Sequence, residues 1–76
     1  MEIIKQQTIA SVELAEARLS LDELIVYEAA LSFGLEKLTD LEMMNRFGAT
    51  REETEGILED VREAISICKS TTLIAA

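Results

Sequence analysis

The feature that most constrains this fold is a pattern that occurs three times, in which a Ser or Thr precedes a Glu by three residues. The pattern stands at Ser20–Glu23, Thr39–Glu42 and Thr50–Glu53. In such a capping box the hydroxyl accepts a hydrogen bond from the amide three residues on, and the carboxylate accepts one from the amide of the hydroxyl residue. The second and third boxes therefore predict helices that begin at Asp40 and Arg51. The first box marks either a further helix start at Leu21 or a kink in one longer helix.

The residue content favours helix over nearly the whole chain. The 76 residues include no Pro and only three Gly, while good helix formers such as Leu, Ala and Glu are abundant. A chain of this length has room for one core, so residues 1–76 are predicted to form a single domain. We expect an all-α fold, a small bundle of three to four helices. Residues 1–10 are the exception, because the β-branched content of Ile3–Ile9 allows a short N-terminal strand or arm as well as a frayed helix end.

Apolar spacing sets the expected bounds of the helices. Residues at alternating intervals of three and four form a heptad-like stripe, which consists of Leu14, Ala17, Leu21, Leu24, Glu28, Leu31 and Leu35. The stripe predicts that residues 11–33 form one long helix, or two helices broken near Ser20. Gly34 fits the left-handed position that ends a helix. A short helix over residues 40–47 and a long helix over residues 51–69 complete the prediction.

The segment Arg46-Phe47-Gly48-Ala49-Thr50 joins the short helix to the long one, and Gly48 suits a turn with a left-handed backbone. The residues expected to pack inside this hairpin are Leu41, Met44, Phe47, Thr54 and Ile57. Residues 21–69 resemble a tri-helical helix-turn-helix domain, with its helical hairpin at residues 40–69. The resemblance implies a DNA-binding transcription regulator that acts as a dimer. In that role the basic residues Lys37, Arg46 and Arg51 would meet the DNA.

The charge of the chain opposes such a role. Fifteen acidic residues against seven basic residues, with no His, give a formal net charge of −8. Between residues 51 and 63, six carboxylates stand against Arg51 and Arg62, whereas DNA binding relies on several cations that meet phosphates. We expect nucleic acid and anionic membranes to be repelled, and a protein partner with a basic surface to be attracted.

The long helix instead predicts a surface for a protein partner. Its candidate residues are Glu52, Glu55, Glu59, Asp60 and Glu63, to which we add Met43 of the short helix. Three successive apolar residues, Leu24 to Val26, cover about 200° of a helix, so that helix should be buried on two sides. A homodimer or the groove of a partner would supply the second side. We therefore expect a small acidic interaction module, an inhibitor or adaptor of the phage type that acts on a nucleic-acid-handling protein.

The sequence offers no support for catalysis or for a metal site. It has no His, a single Cys and no Asp-rich loop with calcium spacing, so we predict no catalytic residue, no metal, no cofactor and no enzymatic activity. Because Cys68 is the only cysteine, an intrachain disulfide is impossible, which fits the cytoplasm of a bacterium or of an infected host cell. The longest apolar stretch, residues 24–35, contains Glu28 and is shorter than the roughly 20 residues of a membrane span.

Overall fold

A β-hairpin followed by three helices makes up the part of the chain that the structure describes. The computed structural model describes the backbone of residues 1–75 and the side chains of residues 1–70. In chain order the elements are β1 (Glu2–Ile9), β2 (Val12–Arg18), α1 (Leu21–Lys37), α2 (Asp40–Phe47) and α3 (Arg51–Ala75). The fold is therefore α+β, and the prediction of an all-α helical bundle is wrong.

The hairpin accounts for the error. Strands β1 and β2 pair antiparallel from Glu2 opposite Arg18 to Ile9 opposite Val12, with a bulge between Ile3 and Lys5. The two-residue turn places Ala10 and Ser11 at φ 49° and 68°, the positive values that let a tight turn follow the twist of the strands. The β2 segment VELAEAR consists largely of helix formers. Pairing with the β-branched residues of β1 overrides this local preference, because strand formation depends on cross-strand neighbours more than on composition.

Helix α1 begins at the first capping box. The Ser20 hydroxyl accepts from the Glu23 amide and the Glu23 carboxylate accepts from the Ser20 amide, each at 3.1 Å. The helix therefore starts at Leu21, and the part of the predicted stripe that precedes it lies on β2. The expectation that Gly34 ends this helix is wrong. Helix α1 continues to Lys37 and is followed by Leu38 in an extended conformation.

The other two boxes also stand at helix starts. Thr39 and Glu42 exchange their hydrogen bonds at 3.0 and 3.2 Å at the head of α2. At the head of α3, the Glu53 amide donates to the Thr50 hydroxyl at 3.1 Å and the Thr50 amide to the Glu53 carboxylate at 3.3 Å. Helix α2 ends at Gly48, whose φ of 68° is the left-handed conformation expected of it. Helix α3 runs on to Ala75, beyond the predicted end at residue 69.

The core is small and lies among the helices. Its buried side chains are Leu24, Met43, Thr54, Leu58 and Ile65. Thr54 is accommodated there because its hydroxyl donates to the Thr50 carbonyl at 2.9 Å. Four residues expected in the core of the helical hairpin are at the surface instead: Leu41 is 70% exposed, Ile57 is 50% exposed, Met44 is 44% exposed and Phe47 is 41% exposed. Helices α1 and α3 make the main tertiary contact, while the hairpin contributes little to the packing of the helices.

Candidate protein interfaces

Five carboxylates lie together on the outer side of α3. We call this set the acidic ridge: Glu52, Glu55, Glu59, Asp60 and Glu63. At 100° per residue they occupy an arc of about 140°, roughly opposite the buried Thr54, Leu58 and Ile65. All five are exposed. Because the rise is about 1.5 Å per residue, the ridge extends along about 17 Å of helix.

The negative charge of the acidic ridge is not offset by an ion pair within the described part of the chain. The nearby Arg62 turns toward α1, where its Nε lies 3.9 Å from the Glu28 carboxylate and its Nη2 donates to the Ser32 hydroxyl at 3.4 Å. A basic surface could therefore approach the ridge without first displacing a cation of this chain.

Met43 does not belong to this surface. Its side chain is fully buried in the core, so the expectation that it contacts a partner is wrong. The adjacent Met44 is the exposed member of the pair, because neighbouring helix residues point about 100° apart. Sequence could show that the two methionines face different directions, but not which of them faces inward.

Arg51 has a structural role in place of the predicted DNA contact. Its Nε donates to the Asp40 carboxylate at 2.7 Å, its Nη1 to the Leu35 carbonyl at 2.8 Å and its Nη2 to the Leu38 carbonyl at 2.7 Å. The planar guanidinium thus joins the end of α1, the start of α2 and the start of α3. We call this arrangement the Arg51 clamp. Since each of its three nitrogen atoms already donates a hydrogen bond within the chain, Arg51 is poorly placed to hold a phosphate.

The other two candidate DNA contacts do not make up for this loss. Lys37 is exposed and lies 3.6 Å from the Glu36 carboxylate, and Arg46 is exposed on α2. Two surface cations are fewer than a protein normally uses to dock on a phosphate backbone.

An apolar surface on α1 was missing from the predicted site residues. We call it the α1 outer face: Ile25, Val26, Ala29, Ala30 and Phe33, all of which are exposed. Val26 and Phe33 are each 62% exposed. With Phe47 and Arg46 of α2, part of this face lines an open groove of about 560 Å³. The run Leu24 to Val26, too apolar for a helix buried on one side, was the sequence signal for it.

Two capping carboxylates have altered acidity. The pKa of Glu23 is lowered, first by its contact with the N-terminal ammonium group and then by the hydrogen bond from the Ser20 amide. The pKa of Glu42 is lowered by the hydrogen bonds from the amide and the side chain of Thr39. Both shifts favour the ionised form that completes a capping box. They stabilise helix starts and do not mark a catalytic acid.

Metal-ligating clusters and membrane-spanning helices are both absent from the described part of the chain. No group of three or more His, Cys, Asp or Glu side chains there is arranged to hold a metal ion. No helix within residues 1–75 combines the length and apolarity needed to cross a membrane. The thiol of Cys68 is half-buried.

No protein-family model, curated protein or solved structure matches this chain.

Proposed function

We propose that this chain is a small acidic interaction module without catalytic activity, which binds a basic surface of a protein partner through the acidic ridge of α3. The observation that supports this most is the exposure, on one side of a helix whose other side is buried, of five carboxylates that form no ion pair with any described residue. The module would act as an inhibitor or adaptor in the cytoplasm of a bacterium or of an infected host cell.

A nucleic-acid-handling protein is the partner class that best fits the ridge. Such proteins present Lys and Arg in rows that match phosphates, which recur about every 3.4 Å of helix axis along one strand of DNA. The ridge carries five carboxylates along about 17 Å of helix, a mean axial spacing of about 4 Å between neighbours. The carboxylates along α3 and the phosphates of one nucleic-acid strand thus have similar mean axial spacings. A row of cations that binds the phosphates could therefore also bind the ridge.

Charge complementarity of this kind governs how the complex forms. Opposite fields raise the association rate and select against acidic partners, and the effect weakens as salt screens the charges. We therefore expect binding to be fast and salt-sensitive. Exposed apolar side chains near the ridge, such as Ile57, would add contact area.

Charge reversal on the ridge tests the proposal. The wild-type chain, immobilised, should capture its partner from a lysate of the producing cells. The double variant Glu55→Lys with Glu59→Lys should no longer capture it, because two carboxylates of the ridge become cations. The matched control is Glu13→Lys with Glu36→Lys, which makes the same charge change at exposed positions outside the ridge. The control should retain the partner. Equal capture by all three proteins, or equal loss in both variants, would rule out the ridge as the specific contact.

Titration with duplex DNA tests the competing role of a DNA-binding regulator. That role is supported by the left-handed Gly48 between α2 and α3, which suits the turn of a helix-turn-helix. It would leave Lys37 and Arg46 to make the phosphate contacts. If the wild type binds duplex DNA, and Arg46→Ala weakens binding and flattens its salt dependence, the regulator replaces the acidic module as the better account. We expect no binding.

A further inference from the structure

The isolated chain exposes more surface than a folded monomer of its size. Its accessible area is 6009 Å². A monomer of 8.4 kDa is expected to expose about 4,600 Å², so the excess is about 1,400 Å². The radius of gyration of 14.5 Å also exceeds the value of about 11 Å expected for 76 residues. A standard interface removes about 800 Å² from each partner, so the excess is large enough for one.

The α1 outer face is the continuous apolar part of this exposed surface. The hairpin also exposes apolar residues, but its cluster Ile9, Val12 and Leu14 is bordered on the same face by Gln7 and then by the pair of Lys5 and Glu16. On α1, by contrast, no charged residue interrupts the outer face between Ile25 and Phe33, because Glu28 points toward α3 and Arg62. Contiguous apolar surface of this kind marks a protein contact.

We propose that a second copy of this chain covers the α1 outer face, so that two α1 helices pack antiparallel about a twofold axis between Ala29 and Ala30. The small side chains at the axis allow the two backbones to approach closely. In such an isologous contact every pair occurs twice. Residues whose numbers sum to 59 lie opposite one another, which places Val26 against Phe33 of the second copy and joins a medium and a large apolar side chain.

Charge supports the antiparallel arrangement. The same relation places Asp22, which is exposed in the first turn of α1, near Lys37 of the second copy, which is exposed in the last turn. A parallel arrangement would instead bring like charges together at each end. The acidic ridges lie on α3, which packs on the other side of α1, so the two ridges do not face each other across the contact. A partner with a large basic surface would be drawn to the ridges and not to this apolar face.

Sedimentation velocity over a range of protein concentrations tests the dimer. The wild type should be dimeric, and because each copy has a net charge of −8, raising the salt concentration should strengthen the dimer. Ala30→Glu should raise the dissociation constant by roughly tenfold or more, since it buries two carboxylates beside the axis. Ile57→Glu, an equivalent change at an exposed apolar position on α3, should leave it unchanged. A monomeric wild type, or an Ala30→Glu protein as dimeric as the wild type, would overturn the proposal.

A charge exchange distinguishes a specific contact from loss of folding. Asp22→Lys and Lys37→Asp should each weaken the dimer, because each places like charges opposite one another. The double variant should recover most of the affinity, since the pair is restored with reversed sign. A folding defect would accumulate in the double variant instead of being reversed. Additive weakening in the double variant would overturn the antiparallel arrangement.

Discussion

A side chain would be unfavourable at Gly34 and at Gly48, for different reasons. At Gly34, in the last turn of α1, an added Cβ would lie 2.5 Å from Cζ of Phe47 and 2.6 Å from its Cε2. The residue therefore gives the Phe47 ring room to lie against the helix. At Gly48 nothing lies within 4 Å of the position of a Cβ, but the φ of 68° disfavours any other residue. A side chain is opposed by the position of the Phe47 ring at one glycine and by backbone conformation at the other.

A double-mutant cycle tests the packing at Gly34. In a Phe47→Ala background, Gly34→Ala should raise the free energy of unfolding by about 1 kcal/mol, because Ala is the better helix former. In the wild type the same substitution should bring no gain, because the Phe47 ring must leave its place. Urea unfolding followed by circular dichroism measures both differences. An equal gain in both backgrounds would show that the ring does not depend on Gly34.

These residues also show why some side-chain roles could not be predicted. A glycine after an apolar run suggests a helix end, but the reason for Gly34 is a ring 13 positions away in the chain. Arg51 likewise stands where a DNA-contacting residue would stand in a helix-turn-helix, while its partners lie on α1, on α2 and in the loop between them. Contacts of this range depend on how the helices cross.

The Arg51 clamp holds the three helices together at one end. The last carbonyls of a helix lack partners within the helix, and Arg51 meets those of Leu35 and Leu38. Its ion pair with Asp40 fixes the guanidinium in the plane that this requires. Helix α2 makes few contacts with α3. The hydrogen bonds of the Arg51 clamp therefore add connections between the helices that the small core does not provide.

We predict that Arg51→Ala lowers the free energy of unfolding by about 2 kcal/mol, because charge-assisted hydrogen bonds to two carbonyls and a carboxylate are lost. Arg51→Lys should have an intermediate effect, since an ammonium group keeps the charge but cannot reproduce the planar fork. Arg62→Ala is the control and should cost well under about 1 kcal/mol, because its contacts are long and exposed. Urea unfolding of the three variants gives these values. Equal effects of Arg51→Ala and Arg62→Ala would show that the clamp adds no special stability.

The second capping box predicts a pH effect on stability. Because the pKa of Glu42 is lowered in the folded chain from its ordinary value of 4.5, its ionised form stabilises the fold. That contribution is complete above the ordinary pKa and is lost as the pH falls through the lower, folded-state value. In Glu42→Gln the amide oxygen can still accept from Thr39, but the group does not titrate. The difference in stability between the two proteins should therefore shrink as the pH falls from about 6 to about 3. A constant difference would contradict the assigned cause.

At the level of elements, sequence located the helix starts far better than it located the strands. A capping box is a local pattern whose two hydrogen bonds span three residues, and all three boxes are formed. The β2 strand has no comparable local signal, because Glu, Leu, Ala and Arg favour helix and the turn lacks Gly or Asn. Its conformation is decided by pairing with β1, and the helix or strand propensity of a segment takes no account of pairing with another segment.

Across the whole molecule, charge and apolar surface are separated. The acidic ridge lies on the solvent side of α3, and the α1 outer face lies on the far side of the helix against which α3 packs. The ridge could be predicted from helical spacing alone, because its residues recur along one side of a long helix. For α1, the sequence shows only that the helix is apolar on two sides. Which side packs against α3, and which remains as the α1 outer face, is decided by the tertiary fold.

This separation leads to opposite salt dependences for the two proposed contacts. Binding of a basic partner to the ridge should weaken as salt increases, because opposite charges are screened. Association of two copies through α1 should strengthen, because the repulsion between two acidic chains is screened. A dimer built in this way would present two ridges to its surroundings.

The measurement that tests the central claim most directly is the dissociation constant between this chain and its captured partner at low and at high salt. We predict that the affinity of the wild type falls steeply with salt, and that Glu55→Lys with Glu59→Lys lowers the low-salt affinity by roughly tenfold or more. The control variant, Glu13→Lys with Glu36→Lys, should follow the wild type. An affinity that is the same at both salt concentrations, and that the ridge variant leaves unchanged, would contradict the assignment of the acidic ridge as the binding surface.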